Sequence, residues 1–198
     1  MKPYAESCEH NQAQILEVLR EEFAERQKVL EIASGTGQHA VYFGRALPHL
    51  SWQTSELEQN HEGILAWLNE AQLPNVLPPV VIDVHSPAWP VAGVDAVFNA
   101  NTVHIVSWAG VEKMFAGIGR VLSAGGIVCM YGAFNYGGKF TSESNARFDA
   151  WLKARDALSG VRDFEAVNCL AEAQGLRLLK DISMPGNNRT LVWKRTQP

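Results

Sequence analysis

The chain has 198 residues, 46% of them hydrophobic and 19% charged, with a net charge of -4 at pH 7. That length predicts one domain able to bury a core without staples, and the composition excludes disordered, collagenous and disulfide-scaffold chains. With 17 basic residues against 21 acidic ones and no Lys/Arg block, the broad basic footprint of a duplex-binding protein is missing, and no nucleic-acid partner is expected.

Ile15, Val18, Leu19 and Phe23 recur at helical spacing, which predicts an amphipathic helix over residues 11–26. Residues 28–33, KVLEIA, read as a short apolar strand ending in Ser34-Gly35-Thr36-Gly37. A helix follows with Ala40, Phe43 and Leu47 on one face, and Pro48 stops it. Ser51–Ser55 is a second strand. Residues 60–72 are a helix with Ile64, Trp67, Leu68 and Ala71 inward. Val80–Asp83 and Asp95–Ala100 are the third and fourth strands. Residues 111–122 are helical, Gly125-Gly126 turn the chain, and Ile127–Tyr131 is a fifth strand.

Strands alternating with helices imply a doubly wound α/β sheet, mostly parallel and covered on both faces. The end of the chain breaks the rhythm. After a helix over 164–174, Leu176–Ile182 and Thr190–Lys194 are joined only by MPGNN, too short for a crossover, so these two strands must be antiparallel. The sheet therefore has seven strands with the last one reversed. Residues 132–162 are the least regular and hold one helix, with Phe148, Trp151 and Leu152 inward; they read as an insertion over the site within a single domain, 1–198. The polar residues 1–12 precede the first helix and are expected to fold over the site as a lid, with Glu9 and Asn11 near it, the alternative being a frayed terminus. No apolar run spans a bilayer and MKPYAESCEH has no signal-peptide core, so no membrane partner and a cytoplasmic location are expected. Cys8, Cys129 and Cys169 form neither a zinc pattern nor a disulfide framework.

Gly35-x-Gly37 between strand and helix lets the backbone approach a ligand, next to the exposed N–H groups of a helix start. The pattern also fits a nicotinamide fingerprint, or a tight turn with no ligand; no Gly-Lys-Ser/Thr follows, which excludes a P-loop. Glu31 favours an adenosyl ligand. A carboxylate inside an apolar strand needs a partner when buried, either a cationic ligand group, an ordered water network or a structural Lys or Arg. Glu56, about twenty residues after the loop, can accept both ribose hydroxyls, as in NAD proteins too. Asp83 can accept from an adenine amino group, or cap the turn at His85-Ser86-Pro87. All three acids are expected at the carboxyl ends of adjacent strands, where open α/β sheets place ligands.

At these residues the chain resembles the class I S-adenosylmethionine (SAM)-dependent methyltransferases. VLEIASGTG is similar to their first motif, with Glu31, Gly35 and Gly37 in place and Ala33 where the first glycine usually stands. Glu56 matches the ribose-binding acid and Asp83 the adenine-side acid. VDAVFNANTVHIV resembles the fourth-strand motif, which implies that Asn101 and His104 face the methionine end of the cofactor. RVLSAGGIVCMYG resembles the helix, turn and strand that follow, and the terminal hairpin fits the same fold. KPYAESCEHNQAQILEVL and MPGNNRTLVWK are also similar to the methyltransferase-like family of unknown substrate that includes methyltransferase-like protein 26. There Glu9, Asn11 and Ile15 carry the first signature and Pro185 to Asn188 the second. The resemblance implies SAM as cofactor and S-adenosylhomocysteine (SAH) as product. It does not imply an acceptor.

Methyl transfer needs an aligned nucleophile and, for O or N acceptors, removal of a proton. His104 is the candidate base; its alternative is a histidine satisfied by the backbone. Asn99 and Asn101 are candidates for the cofactor's amino or carboxylate group, for the acceptor, or for capping the strand end. The sixth strand should point its carboxyl end at the ligand edge, which puts MPGNN there and makes Asn188 a candidate acceptor contact. Turn chemistry is the alternative for Asn187 and Asn188. His10, His39, His49, His61 and His85 show no metal-ligand spacing, so no metal is expected. No Gly-x-Ser-x-Gly elbow is present, and Tyr136 and Lys139 are spaced wrongly for a short-chain dehydrogenase. Trp67 and Trp151 are expected in the core; Trp89 and Trp108, in loops, are candidates to line a pocket. The sequence thus reads as a SAM-dependent methyltransferase of a small molecule or, second, a protein side chain. The alternatives are a non-catalytic SAM-binding protein and an NAD(P)-dependent oxidoreductase.

Overall fold

Val29 and Leu30 point to opposite sides of one strand, and each side is buried, which is why the strand reads as a continuous apolar run rather than an alternating one. A computed structural model describes residues 2–196; Met1, Gln197 and Pro198, within the domain expected over 1–198, lie outside the described residues. In chain order the elements are α1 (Glu6–Glu22), β1 (Lys28–Ile32), α2 (Gln38–Ala46), β2 (Ser51–Glu56), α3 (His61–Ala71), β3 (Val76–Val81) and β4 (Val94–Ala100). They continue as α4 (Thr102–Ile105), α5 (Trp108–Val121), β5 (Leu122–Gly132), β6 (Phe134–Asn135), α6 (Glu143–Arg155), β7 (Arg162–Asp163), α7 (Phe164–Ala173), β8 (Leu176–Met184) and β9 (Asn188–Arg195).

The seven-stranded sheet has the order β3-β2-β1-β4-β5-β9-β8. Strands β1 to β5 pair in parallel. Strand β9 is antiparallel to both β5 and β8, so β8 runs with the first five and only the last strand is reversed, as expected from the short MPGNN connection. On one face, Ile15 and Leu19 of α1, Phe23 just after it and Phe43 of α2 pack on Val29, Ala96 and Phe98. On the other, Phe115 and Ile118 of α5 and Val167 of α7 pack on Leu30, Val97 and Val128.

Several elements differ from expectation for identifiable reasons. The third strand is Val76–Val81, not Val80–Asp83, and Asp83 lies beyond its end. Pro78 and Pro79 lie inside it, which is possible because β3 is an edge strand, where a missing N–H need cost no ladder bond. The first helix spans Glu6–Glu22 rather than 11–26; Glu6 and Glu9 in its first turn suit the positive end of the helix dipole. The helix expected at 111–122 starts at Trp108, where Ser107 caps it by accepting from the Gly110 N–H at 3.2 Å.

The tryptophans depart furthest. Trp67 is only half-buried: its ring carries the Lys2 ammonium at 3.7 Å, and its Nε1–H donates to the Pro3 carbonyl at 2.7 Å. Trp151 is exposed, stacked on Phe148 and covered by Arg155. Trp89 is buried in the core against Gly117, and half-buried Trp108 packs on the same cluster. Neither Trp89 nor Trp108 lines the cavities described below.

Candidate functional site

The carboxyl ends of β1, β2 and β4 meet around the β1–α2 loop. That loop is tied to the end of β2: the Ser34 N–H donates to the Ser55 carbonyl at 2.8 Å, and the Ser55 hydroxyl donates to the Glu31 carbonyl at 2.7 Å. The Gly35 N–H donates to Glu56 Oε2 at 3.1 Å, and the Leu57 N–H to Oε1 at 2.9 Å. Glu56 therefore stands at the strand end with both oxygens oriented by backbone. Gly35, at φ +57°, has nothing within 4 Å of where a side chain would begin and opens on the cavity.

Two loop positions correct the sequence reading. Gly37, at φ +90°, is buried and does not face the cavity; a Cβ there would meet the Ile64 Cα at 3.1 Å, so this glycine lets α3 pack on the loop. Ala33, which replaces a glycine with what looks like one added methyl, adopts φ +56°. A left-handed conformation costs a non-glycine residue about 1–2 kcal/mol, part of which glycine would return as unfolded-state entropy. Ala33→Gly should stabilise the ligand-free protein by about 0.5–1 kcal/mol, read as a higher urea midpoint at unchanged slope. A lower midpoint would mean the methyl contributes packing that outweighs the strain.

A cavity of ≈ 750 Å³ opens at this edge. Glu31, Ala33, Gly35, Glu56, Asp83 and Asn101 all line it, so the three acids that the sequence places at adjacent strand ends converge on one space. Asp83 is exposed and also accepts from the His85 N–H at 2.8 Å, so capping and cavity lining coexist. Ala5, Ser7 and Cys8 close one side, and Asp156 and Leu158 of the expected insertion reach the other. The N-terminal segment is strapped down: the Ala5 N–H donates to Gln38 Oε1 at 2.6 Å, beside the Pro3 contact with Trp67. Residues 6–12, part of the expected lid, form the start of α1; Asn11 is buried there, whereas Glu9 is exposed, bonded to Tyr4, and does not line this cavity.

Glu31 has no Lys or Arg partner. The Trp52 Nε1–H donates to its Oε2 at 3.0 Å, and the rest of the carboxyl faces the cavity wall. Burial, opposed by the bonds from Trp52 and Ser34, pushes its pKa up to about 7. A cation placed beside it would favour the ionised form. Affinity for a cationic ligand should therefore fall as pH is lowered through about 7, approaching tenfold per pH unit as a limit. Glu31→Gln should flatten that profile in calorimetric titrations; a wild-type profile already flat there would remove Glu31 from the ligand's cationic end. In the ligand-free protein the sign is opposite. The folded pKa lies above the ordinary 4.5, so this carboxyl favours the fold below about 4.5, and the contribution is lost as pH rises through about 7.

A second cavity, ≈ 480 Å³, adjoins the first; Ser7 and Asn101 line both. Asn188 lines this second space, as the topology argument for the β8–β9 connection expects. Asn187 does not: at φ +60° it is the turn residue, its carbonyl accepting from Asn145 Nδ2 at 3.0 Å and its own Nδ2 donating to Ser144 Oγ at 3.1 Å. The start of α6 is thereby clamped to the β8–β9 turn, so the 132–162 segment walls both cavities.

Two candidates are not brought to either cavity. Asn99 is fully buried within β4, donating from Nδ2 to the Ile32 carbonyl at 2.8 Å; it ties two strands rather than facing a ligand. His104 is also fully buried, its ring packed edge-on against Phe134 and Phe148 in the space that Gly132 leaves for it. Burial, with the nearby Arg162 charge, lowers its pKa to about 3, and neither ring nitrogen has a hydrogen-bond partner among the described residues. It is neither the backbone-satisfied histidine nor a base within reach of the cavities.

The sequence reading missed Tyr131, which lines the second cavity from the end of β5, and His39, which lines the first. His39 is held neutral by burial, its pKa lowered to about 4, and its Nε2 lies 2.7 Å from Asn11 Oδ1. The Tyr131 signal is present only as a polar atom at the end of an apolar strand. Among the described residues no group of three His, Cys, Asp or Glu could hold a metal ion, and no helix is long and apolar enough to cross a membrane.

This architecture, with a cavity where β1 and β4 diverge, is the Rossmann-like fold of methyltransferases, and solved structures agree. The chain is similar to an O-methyltransferase family protein from Burkholderia thailandensis, with 15% identity, a TM-score of 0.85, and coverage of 97% of this chain and 58% of the other. It is also similar to human N-acetylserotonin methyltransferase in complex with SAM, with 11% identity, a TM-score of 0.81 and coverage of 97% and 53%. An O-methyltransferase family 2 protein from Planctomyces limnophilus in complex with apigenin matches at 12% identity and a TM-score of 0.82, over 93% of this chain and 56% of the other. The chain thus spans little more than half the length of these neighbours. It belongs to the family described as protein of unknown function DUF938, whose model matches residues 2–195.

Proposed function

We propose that the protein is a SAM-dependent methyltransferase of a small molecule, with the cofactor in the larger cavity and the acceptor in the smaller. The observation that carries this reading is the convergence of Glu31, Gly35, Glu56 and Asp83 on one cavity, within the 300–1,000 Å³ range typical of cofactor sites. The residues fit the group. Glu31 is a buried carboxyl with no cationic side chain beside it, suited to the positive methionine end; Glu56 presents an oriented carboxylate to ribose hydroxyls; Asp83 stands at the adenine side; the open Gly35 backbone allows close approach. SAM, when bound, supplies a methyl group on a sulfonium. What the chain supplies is alignment: Asn101 and Ser7, in the wall common to both cavities, stand where methyl and nucleophile would meet.

The neighbours include N-acetylserotonin methyltransferase and an O-methyltransferase family 2 protein in complex with apigenin, which supports a small acceptor over a protein side chain. Of the positions that resemble the methyltransferase-like family that includes methyltransferase-like protein 26, Asn11, Pro185, Gly186 and Asn188 line the second cavity, which is consistent with that narrower reading. A cytoplasmic protein is the matching expectation. The burial of His104 away from both cavities favours one other reading, a SAM-binding protein without catalysis.

Incubation with methyl-labelled SAM and a small-molecule fraction of cell extract separates the two. Label transferred to a low-mass product supports the enzyme. SAM binding with label unmoved in extracts from several growth conditions supports the binder.

A further inference from the structure

The second cavity has a chemical character of its own. None of its lining side chains is Asp, Glu, Lys or Arg, in a chain that is 19% charged. Its polar groups are amides, hydroxyls and the imidazole of His10, which is exposed, and three of them are more than nine-tenths buried: Asn11 at 8%, Tyr131 at 4% and Asn145 at 4% exposure. Buried polar groups must be satisfied, and a charged molecule entering here would lose hydration without meeting a carboxylate, ammonium or guanidinium.

The donors and acceptors can be assigned. Burial is the main cause that raises the Tyr131 pKa, so its hydroxyl keeps its proton. The Asn11 and Asn188 side chains stand beside that hydroxyl and oppose the rise. Asn11 Oδ1 is engaged by His39 Nε2 at 2.7 Å, so the group that Asn11 has left to offer Tyr131 is its Nδ2, a donor. Tyr131 lines the cavity and, facing amide donors, has its O–H to donate into that space. Asn145 spends both Nδ2 hydrogens on Thr141 Oγ1 at 2.9 Å and the Asn187 carbonyl at 3.0 Å, which leaves Oδ1 as an acceptor. Phe148 and Ala133 give the cavity an apolar wall.

Resting on the methyltransferase reading above, we infer that the acceptor is an uncharged small molecule, read by Tyr131 as donor and Asn145 as acceptor, and that Tyr131 is a specificity-determining residue. The ligand presents a lone pair to Tyr131 and an N–H or O–H to Asn145, with an apolar face on Phe148. Selectivity against charged analogues arises because the buried wall offers dipoles and no carboxylate, ammonium or guanidinium, His10 being exposed.

The test screens a fragment set divided equally among neutral, anionic and cationic compounds against the SAH-loaded protein, with amide chemical shifts of Asn101, Asn145 and Asn188 as the readout. The expected result is that hits moving these amides are neutral in large majority. For the strongest neutral hit, Tyr131→Phe should weaken binding by at least about tenfold while SAH affinity stays within about twofold. Hits dominated by anions or cations, no hit at these amides, or undiminished binding to Tyr131→Phe would each overturn the inference. SAH affinity is measured in the same samples. Normal SAH binding with a failed screen overturns the acceptor class alone, whereas loss of SAH binding by the wild-type protein overturns the cofactor assignment and this inference together.

Discussion

Gly37→Val should destabilise the ligand-free protein by about 3 kcal/mol or more. Two costs add: roughly 1–2 kcal/mol for a left-handed non-glycine residue and roughly 1–3 kcal/mol for overpacking. Gly37 sits at φ +90°, and its missing Cβ is 3.1 Å from the Cα of Ile64, a backbone atom of α3 that cannot swing aside. Gly37→Ala carries the strain without the branched methyls and should fall between. Urea unfolding without ligand is the measurement, because it separates two explanations for one glycine. A large fall in midpoint identifies a helix-packing glycine. An unchanged midpoint with lost SAM affinity would put the side chain in the ligand's space instead.

Glu56→Ala should weaken SAM binding by about 1.5–3 kcal/mol, the range for hydrogen bonds to a charged group, which is roughly ten- to hundredfold. The fold should survive. The two N–H groups that Glu56 accepts from belong to Gly35 and Leu57, in a loop and at a strand end, where water can replace the carboxylate. Calorimetric affinity and a thermal melt on the same sample check both halves. A folded variant with unchanged SAM affinity would remove the ribose role, and one that no longer folds would make Glu56 a loop-bracing residue first.

Much of this architecture can be read from the residues, and the failures have physical causes. Buried parallel strands such as KVLEI and VDAVFNA announce themselves as apolar runs, and the acids that interrupt or end them mark the ligand edge. Pro78-Pro79 hid an edge strand, because sequence alone does not say which strands need every N–H. Helical spacing put Trp67 and Trp151 inward, but Lys2 and Arg155 cover these rings from the solvent side, and periodicity cannot distinguish a cation cover from a core. Ala33 looked a small change from glycine because composition carries no φ; its cost appears only with the backbone at +56°. His104 looked like a base because of its place after β4, whereas the glycine at the end of β5 draws its ring into the interior. Tyr131 went unseen for the converse reason: in IVCMY it reads as one more buried strand residue, and only tertiary packing sets Asn11 and Asn188 around its hydroxyl.

Parallel calorimetric titrations with SAM, SAH and NADH test the central assignment most directly. The account predicts saturable binding of SAM and of SAH at one site, lost or weakened in Glu56→Ala, with no binding of NADH. Saturable NADH binding with none of SAM or SAH would contradict it, and would return the glycine loop and Glu56 to a dinucleotide.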